Sequence, residues 1–277
     1  MKKGLTKTNK LVSIIVPAYK QESTIKKDIK SIHDTMIQTR WDFEILVVVD
    51  GFVDKTYESA RSLKNDRIKV YGYETNKGKG YAIRYGMARA SGDLISFIDS
   101  GMDINPNGIS MLLEHMEWYD ADIIVGSKKH PVSRVKYPFV RKIYSFGYHF
   151  LVRMLFGIKV KDTQTGLKVF RREVLEKVLP RLMIKEFAFD IELLATAKHL
   201  GFKKIYEAPV YVTLDLGSSS FSFLFILDKN IRKMLLDTAA VFYRMHILKF
   251  YNDESKRKWV YDKELDMRVN TGELNND

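Results

Sequence analysis

The sequence predicts an α/β fold with a mostly parallel sheet flanked by helices. Two observations carry this. Short apolar runs, Val12 to Val16, Phe43 to Val49 and Leu94 to Ile98, alternate with stretches of helical period, as right-handed strand–helix–strand crossovers require. Each run also stops at a Pro or an Asp and is followed by a loop rich in polar and glycine residues. In open α/β sheets ligands bind beyond the carboxyl ends of the strands, so function is expected on those loops.

Taken in order, Val12-Ser13-Ile14-Ile15-Val16 reads as a first strand ended by Pro17-Ala18-Tyr19. Ile25, Ile29, Ile32 and Met36 recur at helical spacing, and Phe43 to Val49 forms the second strand, ending at Asp50. The loop Asp50 to Thr56 leads to another helix, a short strand at Ile68 to Tyr71, and the turn Asn76-Lys77-Gly78-Lys79-Gly80, which opens a further helix. That turn resembles a phosphate loop but matches neither the dinucleotide fingerprint nor the P-loop, and by itself it reads first as a flexible turn before a helix. Leu94 to Ile98 is short, apolar and bounded by a Gly turn, which suits a strand covered on both faces. It runs straight into Asp99-Ser100-Gly101-Met102-Asp103. Asp99 and Asp103 stand where a hard divalent cation would be held against a diphosphate; a solvated acidic turn is the plain alternative.

Composition bounds the rest. A chain of 277 residues, 45% hydrophobic and 12% aromatic, buries a sizeable core. The absence of cysteine excludes disulfides, thiolate metal sites and a thiol nucleophile. A net charge of +12 predicts an anionic partner: nucleic acid, an anionic membrane or phosphorylated substrates. The six histidines show no pair at metal-ligand spacing. Leu11 to Val16 is too short for a signal-peptide core, and no run of about 18 apolar residues predicts a spanning helix.

Four ordered motifs carry a resemblance: Ser13 to Tyr19 with Glu22, Val49-Asp50-Gly51 with Asp54 and Thr56, Asn76 to Gly80, and Gly92-Asp93 with Phe97-Ile98-Asp99. Together they resemble family 2 glycosyltransferases of the GT-A fold. Gly126-Ser127-Lys128-Lys129, Tyr137 to Lys142, Asp162-Thr163-Gln164-Thr165-Gly166-Leu167-Lys168 and Phe187-Ala188-Phe189-Asp190-Ile191-Glu192 resemble the polyprenyl-phosphate branch. This branch includes dolichyl-phosphate mannose synthases and glucosyltransferases, and the last two motifs lean towards the glucosyltransferases. The resemblance covers about residues 11 to 250.

It implies a Rossmann-like GT-A catalytic domain over 11–220 after a basic tail (1–10). A membrane-surface region with an amphipathic helix is expected over 221–250, and a charged, disordered tail over 251–277. The activity implied is inverting transfer of a hexose from a nucleotide sugar to a polyprenyl phosphate, with Mg²⁺ or Mn²⁺. UDP-glucose is favoured as donor and GDP-mannose is second. Pro17, Ala18, Tyr19, Glu22, Asp50, Lys79 and Asp99 would bind the donor, Asp99 and Asp103 the metal, and Lys128 and Arg141 the acceptor phosphate. With Asp190, on the donor-sugar or acceptor side, these last four make up the catalytic set. A phosphate acceptor is already anionic, so the reaction needs cations rather than a general base. Transfer to a saccharide or polyol hydroxyl, with Asp190 as base, is the alternative, and a nucleotide-sugar-binding pseudoenzyme is another.

The sequence departs from the family pattern at three places. Gly101 replaces the second Asp of Asp-x-Asp, Gly51 replaces the second Asp of the earlier loop, and Ser219 replaces a Lys, for which Lys168 is the expected compensation. Ile231, Leu235, Thr238, Phe242 and Met245 fall on one helical stripe opposite Lys229, Lys233 and Arg244, and Tyr137 to Ile158 mixes apolar and basic residues similarly. From the pattern alone packing on the core is slightly favoured, and the resemblance to enzymes with a lipid acceptor decides for a lipid surface. The chain is therefore expected at the cytoplasmic face of a membrane, bound peripherally or through a separate membrane-protein partner. Nucleic-acid binding has only the charge in its favour and is not expected.

Overall fold

The computed structural model describes residues 7–133, 139–186, 188–212, 229–252 and 257–274. Strands β1 (Leu11–Ala18), β2 (Asp42–Asp50), β3 (Ile68–Tyr73), β4 (Leu94–Ile98), β5 (Ile123–Ser127), β6 (Leu167–Arg171) and β7 (Ile205–Pro209) form one sheet in the order β3-β2-β1-β4-β6-β5-β7. β6 pairs antiparallel with both β4 and β5, and the other pairs are parallel. Six strands thus share one direction. The order reverses at β1, between β2 and β4, so the carboxyl ends of β1 and β4 diverge around a crevice.

Alternation along the strands divides the core between two faces. Ile14 and Val16 pack with Ile45, Val47 and Val49 beneath α1 (Ile25–Ile37) and α4 (Asn107–Trp118). Ile15 packs with Leu46, Val48 and Phe97 beneath α3 (Lys79–Ala88) and α7 (Phe189–His199). The expected stripe Ile25, Ile29, Ile32 and Met36 is fully buried. Short α2 (Thr56–Arg61) and α6 (Arg172–Val178) complete the layers, and α5 (Phe139–Phe156) packs against α8 (Lys229–Phe242).

Two expectations are corrected at the C-terminal end. The tail is not disordered over residues 257–274: β8 (Arg257–Asp262) and β9 (Met267–Leu274) pair as an antiparallel hairpin. Its charge density concealed a strand pattern with inward anchors. Leu265 is buried, Asn270 Nδ2 donates to Phe250 O (3.0 Å), and the Arg181 guanidinium lies over Trp259.

The stripe on α8 faces protein rather than lipid at Thr238, Phe242 and Met245. Thr238 and Met245 are buried, the Thr238 and Tyr148 hydroxyls are 2.8 Å apart, and Phe242 meets Phe156 edge-on. Arg244 is not on an outer basic face either, since it reaches inward to Glu192 (3.4 Å). The side chains of Lys229 and Ile231 lie outside the described residues. Leu235 of the stripe is itself exposed, and further exposed apolar side chains lie off it at Leu236, Tyr243 and Ile247, with Phe150 and Met154 on α5. No helix among the described residues is long and apolar enough to cross a membrane.

Candidate active site

A cleft of about 310 Å³ opens at the crevice beyond β1 and β4. Pro17, Ala18 and Tyr19 form one wall; Asp50, Asn76, Gly78 and Lys79 form another; Asp99 and Ser100 form the floor. Pro17 and Ala18 still belong to β1, paired with Val48 and Val49, which fixes that wall to the sheet, while Tyr19 is the exposed side chain at its rim.

Asp99 follows β4 directly. Its Oδ2 accepts from Lys79 Nζ at 2.7 Å, and its Oδ1 is buried without a hydrogen-bond partner. Burial acts most strongly to lower the Lys79 pKa, but the Asp99, Asp190 and Asp103 carboxylates outweigh it, so the ammonium is held above its ordinary value. Beneath Asp99 lies Gly166. The Asp99 N–H donates to Gly166 O (3.0 Å), and a Cβ at residue 166 would stand 1.9 Å from Asp99 Oδ2. Only glycine leaves room for the carboxylate there.

The loop after Asp99 turns through two left-handed residues, Gly101 (φ +92°) and Met102 (φ +55°). The Gly101 N–H donates to Oδ2 of buried Asp28 on α1 (3.0 Å). An Asp at position 101, as in the family pattern, would be strained in this conformation, so the change at residue 101 and the backbone path are consistent with each other. Asp103 sits exposed beyond this turn, near enough for its charge to support the Lys79 ammonium.

Asp50 lines the cleft, but its carboxylate is turned into the glycine loop. Oδ1 accepts from Lys77 N (2.7 Å) and Tyr73 Oη (2.9 Å), and Oδ2 accepts from Asn76 Nδ2 and Gly78 N (both 3.0 Å). With both oxygens so occupied, Asp50 shapes the loop that carries Lys79. Glu22 lies outside the cleft lining, and its Oε2 accepts from Lys55 N (3.1 Å), joining the loops after β1 and β2.

Lys168 does not replace the lysine missing at Ser219. It is 0% exposed, and its Nζ donates to Asp190 Oδ1 (2.6 Å) and Thr165 O (2.7 Å). Ser219 itself lies outside the described residues. Asp190 is in the first turn of α7, close enough to contribute to the Lys79 shift. Glu192 is no surface charge. It is wholly buried and accepts from Met183 N, Ile184 N and Tyr251 Oη, tying α7 to the C-terminal segment; burial raises its pKa despite those bonds.

Lys128 follows β5, and its N–H donates to Asp162 Oδ2 (3.0 Å), which places its half-buried side chain beside the turn that leads to Gly166. It is not part of the cleft lining. Arg141 belongs to α5, but its side chain lies outside the described residues.

The residues fit a divalent cation in one respect: Asp99 presents a buried oxygen with no partner, with Asp103 on the same loop. Among the described residues no group of three or more His, Cys, Asp or Glu side chains could hold a metal, so diphosphate oxygens would have to complete its shell. Sequence reasoning overlooked Asp28, Tyr73 and the steric role of Gly166. The last stood within a quoted motif and was readable as a close-approach glycine.

Comparison with known proteins agrees with this architecture. Residues 13–179 match the family model described as glycosyl transferase family 2. A dolichyl-phosphate beta-glucosyltransferase of Dictyostelium discoideum is 30% identical over 208 residues, covering 70% of this chain and 64% of that protein. A protein of the same name from Drosophila melanogaster is 30% identical over 68% of this chain and 63% of its own length, so the chain spans just under two thirds of these two relatives. A Trichomonas vaginalis protein, dolichyl-phosphate beta-glucosyltransferase ALG5D, is 30% identical over 257 residues, 85% of this chain and 75% of that one. The glucosyl-3-phosphoglycerate synthase of Mycobacterium tuberculosis, crystallised with Mn²⁺, UDP-glucose and phosphoglyceric acid, superposes with a TM-score of 0.63 at 20% identity, covering 95% of this chain and 86% of that one. That likeness is one of fold. The chain belongs to glycosyl transferase family 2 and has its GT-A fold.

Proposed function

We propose that the protein transfers glucose, with inversion, from UDP-glucose to a polyprenyl phosphate such as dolichyl phosphate. The observation that carries this is the floor of the cleft, where the protonated Lys79 and the half-unpartnered Asp99 meet beyond β4, in a chain whose relatives bear dolichyl-phosphate glucosyltransferase names.

The residues divide the work as follows. Pro17, Ala18 and Tyr19 receive the nucleoside against a rigid strand end and an aromatic face. The first turn of α3, shaped by Asp50, presents Lys79 and the positive helix end to the diphosphate. A phosphate oxygen of the acceptor attacks the anomeric carbon as the bond from that carbon to the diphosphate oxygen breaks. The bonding pair leaves with UDP, and no proton needs removal from the nucleophile. Lys128 and Arg141 hold the acceptor phosphate, and Lys79 offsets the charge gathering on the leaving group. Asp99 and Asp103 would hold a Mg²⁺ or Mn²⁺ ion, which when bound would supply further charge neutralisation for that diphosphate. Asp190, with one oxygen on Lys168, orients the donor sugar; this occupation disfavours it as the base that a hydroxyl acceptor would require.

A polyprenyl acceptor stays in its bilayer, so the enzyme must meet the membrane. The exposed Phe150 and Met154 of α5, with Leu236, Tyr243 and Ile247 of the segment after and including α8, supply an apolar face for peripheral binding at the cytoplasmic leaflet. The +12 charge favours an anionic surface, and a separate membrane protein is the other way of holding the enzyme there.

The test is radiolabelled transfer from UDP-glucose or GDP-mannose, with Mg²⁺ or Mn²⁺, to a short-chain polyprenyl phosphate beside the corresponding polyprenol. Lipid-linked glucose on the phosphate alone is expected. Transfer to the polyprenol, or a preference for GDP-mannose, would overturn the acceptor or the donor assignment respectively.

A further inference from the structure

The family model ends at residue 179, yet a residue far beyond it is tied to the donor loop. The turn joining β8 and β9 brings Glu264 against the glycine loop, where both of its carboxylate oxygens accept from Lys77 Nζ at 2.6 Å. The ammonium lies over the rings of Tyr81 (4.8 Å) and Tyr73 (5.3 Å). The turn is firmly built. Glu264 N and Leu265 N donate to Asp262 Oδ1 (2.9 and 3.0 Å), Arg89 at the end of α3 donates to Glu264 O (2.6 Å), and Leu265 is 1% exposed.

Lys77 is therefore held at both ends. Its backbone N–H is fixed on the cleft side by Asp50, and its side chain is fixed on the other side by Glu264. Two residues on, Lys79 meets Asp99. A displacement of Lys77 would reach Lys79 through one glycine.

We propose that Glu264 of the C-terminal hairpin is a positioning residue for donor binding, setting the glycine loop through Lys77 so that Lys79 faces the diphosphate. This rests on the reading of the cleft as a nucleotide-sugar site. Both partners are partly exposed, and such ion pairs contribute little to global stability, so the effect of losing this one should fall on the loop. Burial opposes ionisation of Glu264 most strongly, but Lys77 and Tyr81 outweigh it and hold the carboxyl below its ordinary value, so Glu264 is a carboxylate at neutral pH.

The experiment measures UDP affinity by calorimetry in the presence of Mn²⁺, and KM for UDP-glucose and for polyprenyl phosphate, on the full chain. The wild type comes first: failure to bind UDP would sink the nucleotide-sugar reading itself. Given binding, Glu264→Ala is expected to weaken UDP affinity and raise KM for UDP-glucose about tenfold, the range of a modest site-to-site coupling, with KM for polyprenyl phosphate unchanged. Lys77→Glu and Glu264→Lys should each impair the donor step, and the double swap should recover most of it. Wild-type UDP affinity in Glu264→Ala would overturn the proposal. So would equal losses for both substrates that track a lowered melting temperature and persist in the double swap.

Discussion

The Lys168 ammonium, fully enclosed on β6, is 2.6 Å from Asp190 Oδ1 at the start of α7. This ion pair joins the strand beside β4 to the helix that borders the donor cleft. Removing one member of a buried pair leaves the other without its countercharge, so Lys168→Met should cost about 3–5 kcal/mol in urea denaturation. The double variant Lys168→Met/Asp190→Leu should recover most of that stability while remaining inactive. Equal stability of wild type and Lys168→Met would show that the pair is not formed.

Gly166 and Asp99 make a second prediction. A Cβ at residue 166 would lie 1.9 Å from Asp99 Oδ2 and 2.2 Å from its Cγ, so Gly166→Ala must displace the carboxylate from Lys79. Steady-state kinetics should show kcat lowered by about a hundredfold, as for reacting groups misplaced by an ångström. Unchanged kcat would mean that the position of Asp99 does not matter.

The acid limb of stability should depend on Glu44. This buried carboxylate accepts from Ser13 Oγ (2.6 Å), Ser91 N (2.7 Å) and Lys69 Nζ (2.7 Å). Burial works most strongly against its ionisation, but these three donors together outweigh it and hold its pKa below the ordinary 4.5. With the folded value depressed, the contribution is fully present above the unfolded value and is lost as pH falls through the folded one. Glu44→Gln should therefore be less stable at neutral pH, by about 1.5–3 kcal/mol for bonds to a charged group, and show a shallower loss below pH 4.5. An acid slope equal to wild type would contradict this.

Much of this architecture was legible in the sequence because local signals agreed with the fold. The apolar runs ending at Pro17, Asp50 and Asp99 became β1, β2 and β4, and the stripe from Ile25 to Met36 became the buried face of α1. Lys79 and Asp99 did meet, since both follow from the turn-then-helix and strand-then-loop readings. What was not legible depended on partners distant in sequence. Lys168 read as a cation available to the diphosphate, and only the packing of β6 against α7 shows it enclosed. Asp50 read as a donor contact, although the loop some 26 residues later fills its acceptor sites. The α8 stripe was assigned to lipid, yet at Thr238, Phe242 and Met245 it meets protein, because periodicity does not say what an apolar face meets. The hairpin was hidden by its charge, its anchors being as few as Leu265, Asn270 and Trp259.

The most direct test of the account is transfer of radiolabelled glucose from UDP-glucose to a short-chain polyprenyl phosphate by the wild type and by Asp99→Ala, with Mg²⁺ or Mn²⁺ supplied. The account predicts a lipid-phosphate-linked glucose with the wild type and loss of product with Asp99→Ala, while the variant keeps the wild-type melting temperature. Undiminished product with Asp99→Ala would contradict the placement of the active centre, and no product from a wild type that binds UDP would contradict the proposed reaction.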